Sequence, residues 1–338
     1  MAEELALFNM KQPIVDLHCD LLSYLSSVPG ARVDKAMEFG AAVPHLKAGN
    51  VKLQVMAIYT DTKAGSSAAG EKQRKLFDEL PILSNGFFSR FTSSALSPET
   101  LENHSGCYAW LAIENGSAFC EEDESLSAGL IRLEQMVASS GPLAYIIMTH
   151  HYENRFGGGN YSDVGLKADG EVLLDFLDGK RIPIDLAHTS DKLAYGILNY
   201  IDKRSLNVPV LASHSNFRKI HNHVRNLPDE LAMELIRRNG LIGINFLRNY
   251  INDTDPGVLY DHIDHGTKLG AHHLLAFGAD FFYALNHPDP SRYPIYFQGQ
   301  DNASWYQKIL AEMRERGGEH FEDGIAYKNA IGYYSSLK

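Results

Sequence analysis

Within "IVDLHCDLL", Ile14 to Leu22, Asp16, His18 and Asp20 stand two residues apart. On a strand, side chains alternate, so all three face one side. Further along, apolar runs end on Glu114, His150, His188, His214 and Asp280. Imidazoles gathered with carboxylates form the ligand set of zinc or a similar divalent metal, and an isolated buried carboxylate is costly. His18, His188 and His214 with Asp20 and Glu114 exceed what one tetrahedral catalytic zinc takes. They suit two metals roughly 3.5–4 Å apart, bridged by a carboxylate and a hydroxide and lowering the pKa of that water toward about 7. The chemistry this implies is metal-assisted hydrolysis.

Other candidates are weaker. His221 and His223 in "HNHVRN" lack a third ligand nearby in sequence, and a lone histidine such as His151 or His262 reads as an ordinary core or surface residue. Asp185 falls out of phase with His188, and Asp16 lies deeper in its strand than His18. Both suit supporting contacts better than ligation. Cys19 points away from its neighbours and reads as a small buried hydrophobe.

The elements that must position these groups are eight short apolar runs: 13–20, 51–60, 107–114, 143–150, 181–188, 208–214, 240–247 and 273–280. Between them lie stretches with helical spacing, 125–141, 170–180, 229–239 and 262–270 among them. Strands alternating with helices predict a parallel sheet, and eight units predict a closed (β/α)8 barrel of the TIM type, one domain over 1–338. Active sites of that fold sit where the strands end. An open doubly wound sheet is the rival, but no glycine-rich phosphate turn follows the first run. Three stretches exceed a minimal barrel. Residues 61–106 carry one predicted helix across 69–91, the glycine-rich 151–169 reads as a mobile loop over the barrel mouth, and the chain from 281 is irregular before a final helix.

With a net charge of −11 and no Lys/Arg-rich run, nucleic acid is not the partner. No stretch of 18 or more apolar residues could span a membrane. The first residues show no basic region followed by an apolar one, so no signal peptide is expected. Three cysteines are too few for a disulfide framework and fit a reducing compartment, the cytoplasm.

From "DLHCDLL" to "FGADF" the chain resembles the membrane dipeptidase (renal dipeptidase) family of metallopeptidases, within the amidohydrolase-like barrels. The resemblance rests on the ordered set "AIENGSAF", "MTHHYEN", "IDLAHTS", "ASHSN" and "VRNLPDE". Other amidohydrolases usually open with His-x-His and carry a bridging lysine. Here the first motif is His-Cys-Asp, and Glu114 takes the bridging place. The resemblance implies two zinc ions per subunit, one on His18, Asp20 and Glu114, the other on Glu114, His188 and His214. It implies that His150 donates to the oxyanion of the tetrahedral intermediate and that Arg225 grips the substrate's C-terminal carboxylate. Asp280 would relay the proton from the attacking hydroxide to the leaving amine. A homodimer is implied as well. The substrate class is dipeptides, and a related small amide or lactone, such as an N-acyl amino acid, is the alternative. Two departures bear on substrate preference: the family's Ser-Asp-Phe-Asp-Gly reads "GADFFYALNHPD", placing Phe282 at the second acid, and "AIGYYSSLK" lacks the family's late Asn.

Overall fold

The computed structural model describes residues 11–35, 37–285, 287–316 and 323–337. The first ten residues, on which the reading of no signal peptide rests, lie outside them. Nine parallel strands run in chain order: β1 (Ile14–Cys19), β2 (Val51–Tyr59), β3 (Phe88–Arg90), β4 (Cys107–Glu114), β5 (Ile146–Ile147), β6 (Ile184–Asp185), β7 (Val210–Ala212), β8 (Leu241–Ile244) and β9 (Leu275–Phe277). Their spatial order is β2-β1-β9-β8-β7-β6-β5-β4, and β2 pairs again with β4 to close an eight-stranded barrel. All eight sequence runs become barrel strands. Strands buried on both faces need no apolar/polar alternation, which is why β4 is continuous "CYAWLAIE", fully buried but for Tyr108.

The runs overstate the strands, however. Runs four to eight contribute only two to four ladder residues each. Their polar ends lie in the turns beyond. The chain has already left the ladder when it reaches His188 and Asp280, whose φ angles are 62° and 63°. Left-handed backbone at a residue with a Cβ is strained, by about 1–3 kcal/mol each.

The intervening helices follow the apolar stripes. Helix Leu126–Ser140 is capped by Ser125, which accepts from the Ala128 amide, and it buries Leu133. Helix Asp191–Arg204 is capped by Ser190 and carries Lys203 and Arg204 in its last turn, where the helix dipole favours cations. Helices Ala168–Leu177, Asp229–Arg237 and Val258–Lys268 occupy the other predicted stretches.

Two expectations are corrected. The helix foreseen across 69–91 spans Ser66–Leu83 and stops because Asn85 and Gly86 both take positive φ; the chain then forms β3, which pairs with the start of β4 from Phe88↔Cys107 to Arg90↔Ala109. The loop 151–169 is packed, not a free flap. A Cβ on Gly159 would stand 2.1 Å from the His150 carbonyl oxygen, and Gly159 bridges to Thr189. Its glycines serve close approach instead of mobility.

Candidate metal centre

Ligands from opposite sides of the barrel converge on one carboxylate. Glu114 is the last residue of β4, in register with Tyr59 of β2 and Ile147 of β5. Its Oε2 lies 3.2 Å from His18 Nε2 and its Oε1 lies 2.9 Å from His188 Nε2. His214 Nε2 is 3.9 Å from the same Oε1 and 3.0 Å from His188 Nε2. Asp20 Oδ2 and Asp280 Oδ1 stand 4.0 and 3.7 Å from His18 Nε2. The ligand atoms of His18, Asp20 and Glu114 lie within 4.8 Å of one another, as do those of Glu114, His188 and His214.

Side chains behind the ligands set their tautomers and aim. The Tyr145 hydroxyl donates to the Leu17 carbonyl (2.8 Å), so its oxygen accepts from His18 Nδ1 at 2.7 Å. His18 Nδ1 therefore carries a proton, and Nε2 is the ring atom that faces the carboxylates. Nε2 meets Glu114 Oε2 at 3.2 Å without the alignment of a hydrogen bond. His214 Nδ1 is tied to Ser213 Oγ at 2.6 Å. Asn245 Nδ2 donates to Asp280 Oδ2 at 2.8 Å, which leaves Oδ1 turned toward His18. Such partners fix ring and carboxylate orientation around metals.

The two unassigned acids brace the backbone. Asp16 accepts from the amides of His18 (3.1 Å) and Ala279 (3.2 Å) and from the Tyr306 hydroxyl (2.5 Å), tying β1 to the turn after β9. Asp185 accepts from the amides of Ala187 (2.8 Å) and Ser213 (3.1 Å), one residue before His188 and one before His214. Both are wholly buried.

The electrostatics of this cluster ask for a cation. Burial lowers the His18 imidazole, but the adjacent carboxylates of Glu114, Asp20 and Asp280 outweigh it and hold it up at about 10. Burial raises the Glu114 carboxyl, yet His18, His150 and Arg225 pull it down to about 2. Asp280 is lifted to about 6 by burial and the Glu114 charge, against the opposing pull of His18. Burial, with the cationic neighbours, drives His188 and His214 well below the ordinary histidine range, so both stay neutral. Three carboxylates demand positive charge where His18 Nε2 points, Asp20 Oδ1 lacks a partner, and the other two imidazoles refuse a proton. That donor set fits divalent metal.

The centre opens into a cavity of about 450 Å³, lined by Asp20, Glu114, His188 and Asp280 on the metal side. His150 joins them, its Nε2 3.8 Å from Glu114 Oε1 and its pKa pushed down to about 3 by burial and by His151. Arg225 is 4% exposed, donates to Ser215 Oγ (3.1 Å) and the His214 carbonyl (3.0 Å), and sits over the Tyr250 ring at 5.7 Å. It is not among the lining residues, whereas Tyr250 is. Cys19 is buried as foreseen, and His221 and His223 take no part.

Sequence reasoning missed His151. Its ring lies 3.9 Å from that of His150 and 5.1 Å from that of His188, and it lines the cavity. On a strand the two neighbours would oppose each other, but β5 has ended three residues before His150, so both turn inward. Also missed were Tyr24, Tyr283, His287 and Arg292 on the cavity's other wall.

The model of the family described as membrane dipeptidase (peptidase family M19) matches residues 2–331. "Dipeptidase tcpJ" of Claviceps purpurea (strain 20.1) is 28% identical over 183 residues, 51% of this chain and 39% of its own length. "Dipeptidase verJ" of Clonostachys rogersoniana is 28% identical over 196 residues, 56% of this chain and 45% of its own. The match thus spans less than half of either relative. Among solved structures, the metallopeptidase of Rhodobacter sphaeroides liganded with a phosphinate mimic of the dipeptide L-Ala-D-Ala superposes with a TM-score of 0.81 at 17% identity, covering 97% of this chain and 100% of that one. The dipeptidase AC, a metallopeptidase of family M19, gives 0.79 at 18% identity, covering 96% and 98%. The fold is theirs, and with the family model matching nearly end to end, the chain belongs to the membrane dipeptidase family, peptidase family M19.

Proposed function

We propose that the chain is a binuclear zinc dipeptidase that hydrolyses the peptide bond of dipeptides with a free C-terminal carboxylate. One observation carries this reading: Glu114 offers one oxygen to His18 and the other to His188, as a carboxylate shared by two cations must. His18, Asp20 and Glu114 would hold one zinc, and Glu114, His188 and His214 the other. The ions, when bound, supply Lewis acidity for the peptide carbonyl and an acidified water.

The chain's own residues do the rest. Asp280, with Oδ2 fixed by Asn245, keeps Oδ1 free to take the proton of the attacking water and return it to the leaving amine. His150, neutral in its packed surroundings, donates a hydrogen bond to the oxyanion. Arg225 retains an unpartnered buried Nε and supplies positive charge for the terminal carboxylate. The cavity holds a dipeptide and excludes a folded protein. Three buried free thiols agree with a cytosolic enzyme, and no described helix is long and apolar enough to cross a membrane. Homodimerisation enters from the family resemblance alone.

The test is hydrolysis of Ala-Ala by the purified protein, its loss on chelation and its return with zinc at two ions per chain. Amidating the C-terminus should cost at least tenfold in kcat/KM. Undiminished hydrolysis of the amide would remove Arg225 from its role, and N-acyl amino acids cleaved in preference to every dipeptide would favour the broader amidohydrolase reading.

A further inference from the structure

The cavity has a second wall that the hydrolytic chemistry does not use. It is built by Tyr24, from helix Leu21–Ser27, and by Phe282, Tyr283, His287 and Arg292, from the irregular segment after β9. No carboxylate lies on it; the three acids of the lining, Asp20, Glu114 and Asp280, all belong to the metal side. Arg292 is the one lysine or arginine among the described lining residues.

Its guanidinium is only partly engaged. Among the described residues its side chain makes one hydrogen bond, between Nη1 and His287 Nε2 at 3.1 Å; its charge reaches the exposed Asp289 carboxylate, but the two form no ion pair. Its Nε is buried without a partner. In a chain whose acids outnumber its bases by eleven, most described arginines find a carboxylate; Arg74, Arg132, Arg155 and Arg218 each hold one within 2.6–2.8 Å. Leaving a cavity-facing guanidinium unpaired forgoes stability unless a ligand pairs it. Arg225, the proposed anchor of the terminal carboxylate, lies by the same Tyr250 ring: Arg225 Cζ is 5.7 Å and Arg292 Cζ 5.9 Å from its centroid. Two cations around one aromatic ring offer two separate anion sites.

We propose that Arg292, with His287, forms a subsite for the carboxylate of an acidic side chain, so that dipeptides containing Glu or Asp are preferred over their amide counterparts. The proposal rests on the dipeptidase reading and deepens it by naming the substrate class. A planar fork of donors pairs bidentately with a carboxylate, and removing one partner of such a pair typically costs tenfold to a hundredfold.

The experiment compares kcat/KM for Ala-Glu, Glu-Ala, Ala-Gln, Gln-Ala and Ala-Ala in the zinc-loaded wild type and in Arg292→Gln and Arg292→Lys. We expect one acidic dipeptide to exceed its amide at least tenfold in the wild type. Arg292→Gln should abolish that ratio while leaving Ala-Ala within twofold, and Arg292→Lys should restore part of it. Equal rates for acid and amide in the wild type, or an equal loss on Ala-Ala and the acidic dipeptides, would overturn the subsite. If no dipeptide is hydrolysed at all, the dipeptidase reading falls separately. Calorimetric binding of the same pairs then decides the subsite: tighter binding of the acid that vanishes in Arg292→Gln sustains it, and equal binding ends it.

Discussion

The barrel has two unlike arcs. In one, β1, β2 and β4 run six, nine and eight residues and pair over most of their length. In the other, β5 to β9 have only two to four ladder residues each. The long arc brings Glu114 to the centre as the last rung of a ladder. The short arc must bring His188, His214 and Asp280 there after its ladder has run out, and it does so through side chains: Asp185 grips two amides, Asn245 holds Asp280, and His262 ties the turns outside. A ligand can thus be placed by sheet register or by local hydrogen bonding, and the second way puts more weight on single residues.

The most drastic way to break the comparison is to remove the group both arcs share. Glu114→Gln should lower kcat/KM by about three orders of magnitude or more and empty both metal positions, as metal analysis would show, with circular dichroism unchanged. Next, the two bracing acids should part company. Asp185→Ala strands two amides in the short arc, so we expect a loss of about 2–4 kcal/mol in denaturant unfolding together with a drop of 10–100-fold in zinc affinity. Asp16→Ala should cost similar stability but less metal affinity, because β1 stays laddered to β2. Equal affinity losses would refute the distinction.

A pH experiment sharpens it further. His262 lies in helix Val258–Lys268, remote in sequence from the ligands; its Nδ1 accepts from the Phe217 amide (3.1 Å) and its Nε2 donates to the Ile251 carbonyl (3.0 Å). Burial lowers its pKa to about 4 from the ordinary 6.5. The unfolded chain therefore binds a proton that the folded chain refuses. The contribution is complete above pH 6.5 and is lost as pH falls from there through about 4, by roughly 3 kcal/mol. Thermal midpoints should fall across that window, and less steeply in His262→Gln. The smallest effect is expected for Tyr145→Phe, which frees the His18 tautomer and should weaken zinc binding about tenfold, read by competition with a chelator.

Much of this architecture is legible in the amino-acid sequence. Eight apolar runs gave eight barrel strands because burial on both faces leaves a plain composition signal, and the polar ends of those runs converged because parallel strands all end on one face. The placement of His151 was illegible, since it depends on where β5 stops, and two-residue ladders leave no periodicity to read. The turn at Asn85–Gly86 was written in residues tolerant of positive φ, yet the apolar "GFFSRF" beyond it resembled more helix. The wall carrying Tyr24 and Arg292 joins segments more than 250 positions apart, outside the reach of local pattern.

The contact between Gly159 and the His150 carbonyl separates what this scaffold can vary from what it must keep. Any side chain at 159 would collide with the backbone of His150 and His151, so the glycine loop and the turn that carries these two imidazoles have to be inherited together. Among the described residues, the segment from Phe282 to Arg292 makes no hydrogen bond or ion pair to His18, Asp20, Glu114, His188 or His214. Descendants of this gene could therefore rebuild the cavity's second wall by editing that stretch alone, leaving the cluster of imidazoles and carboxylates untouched.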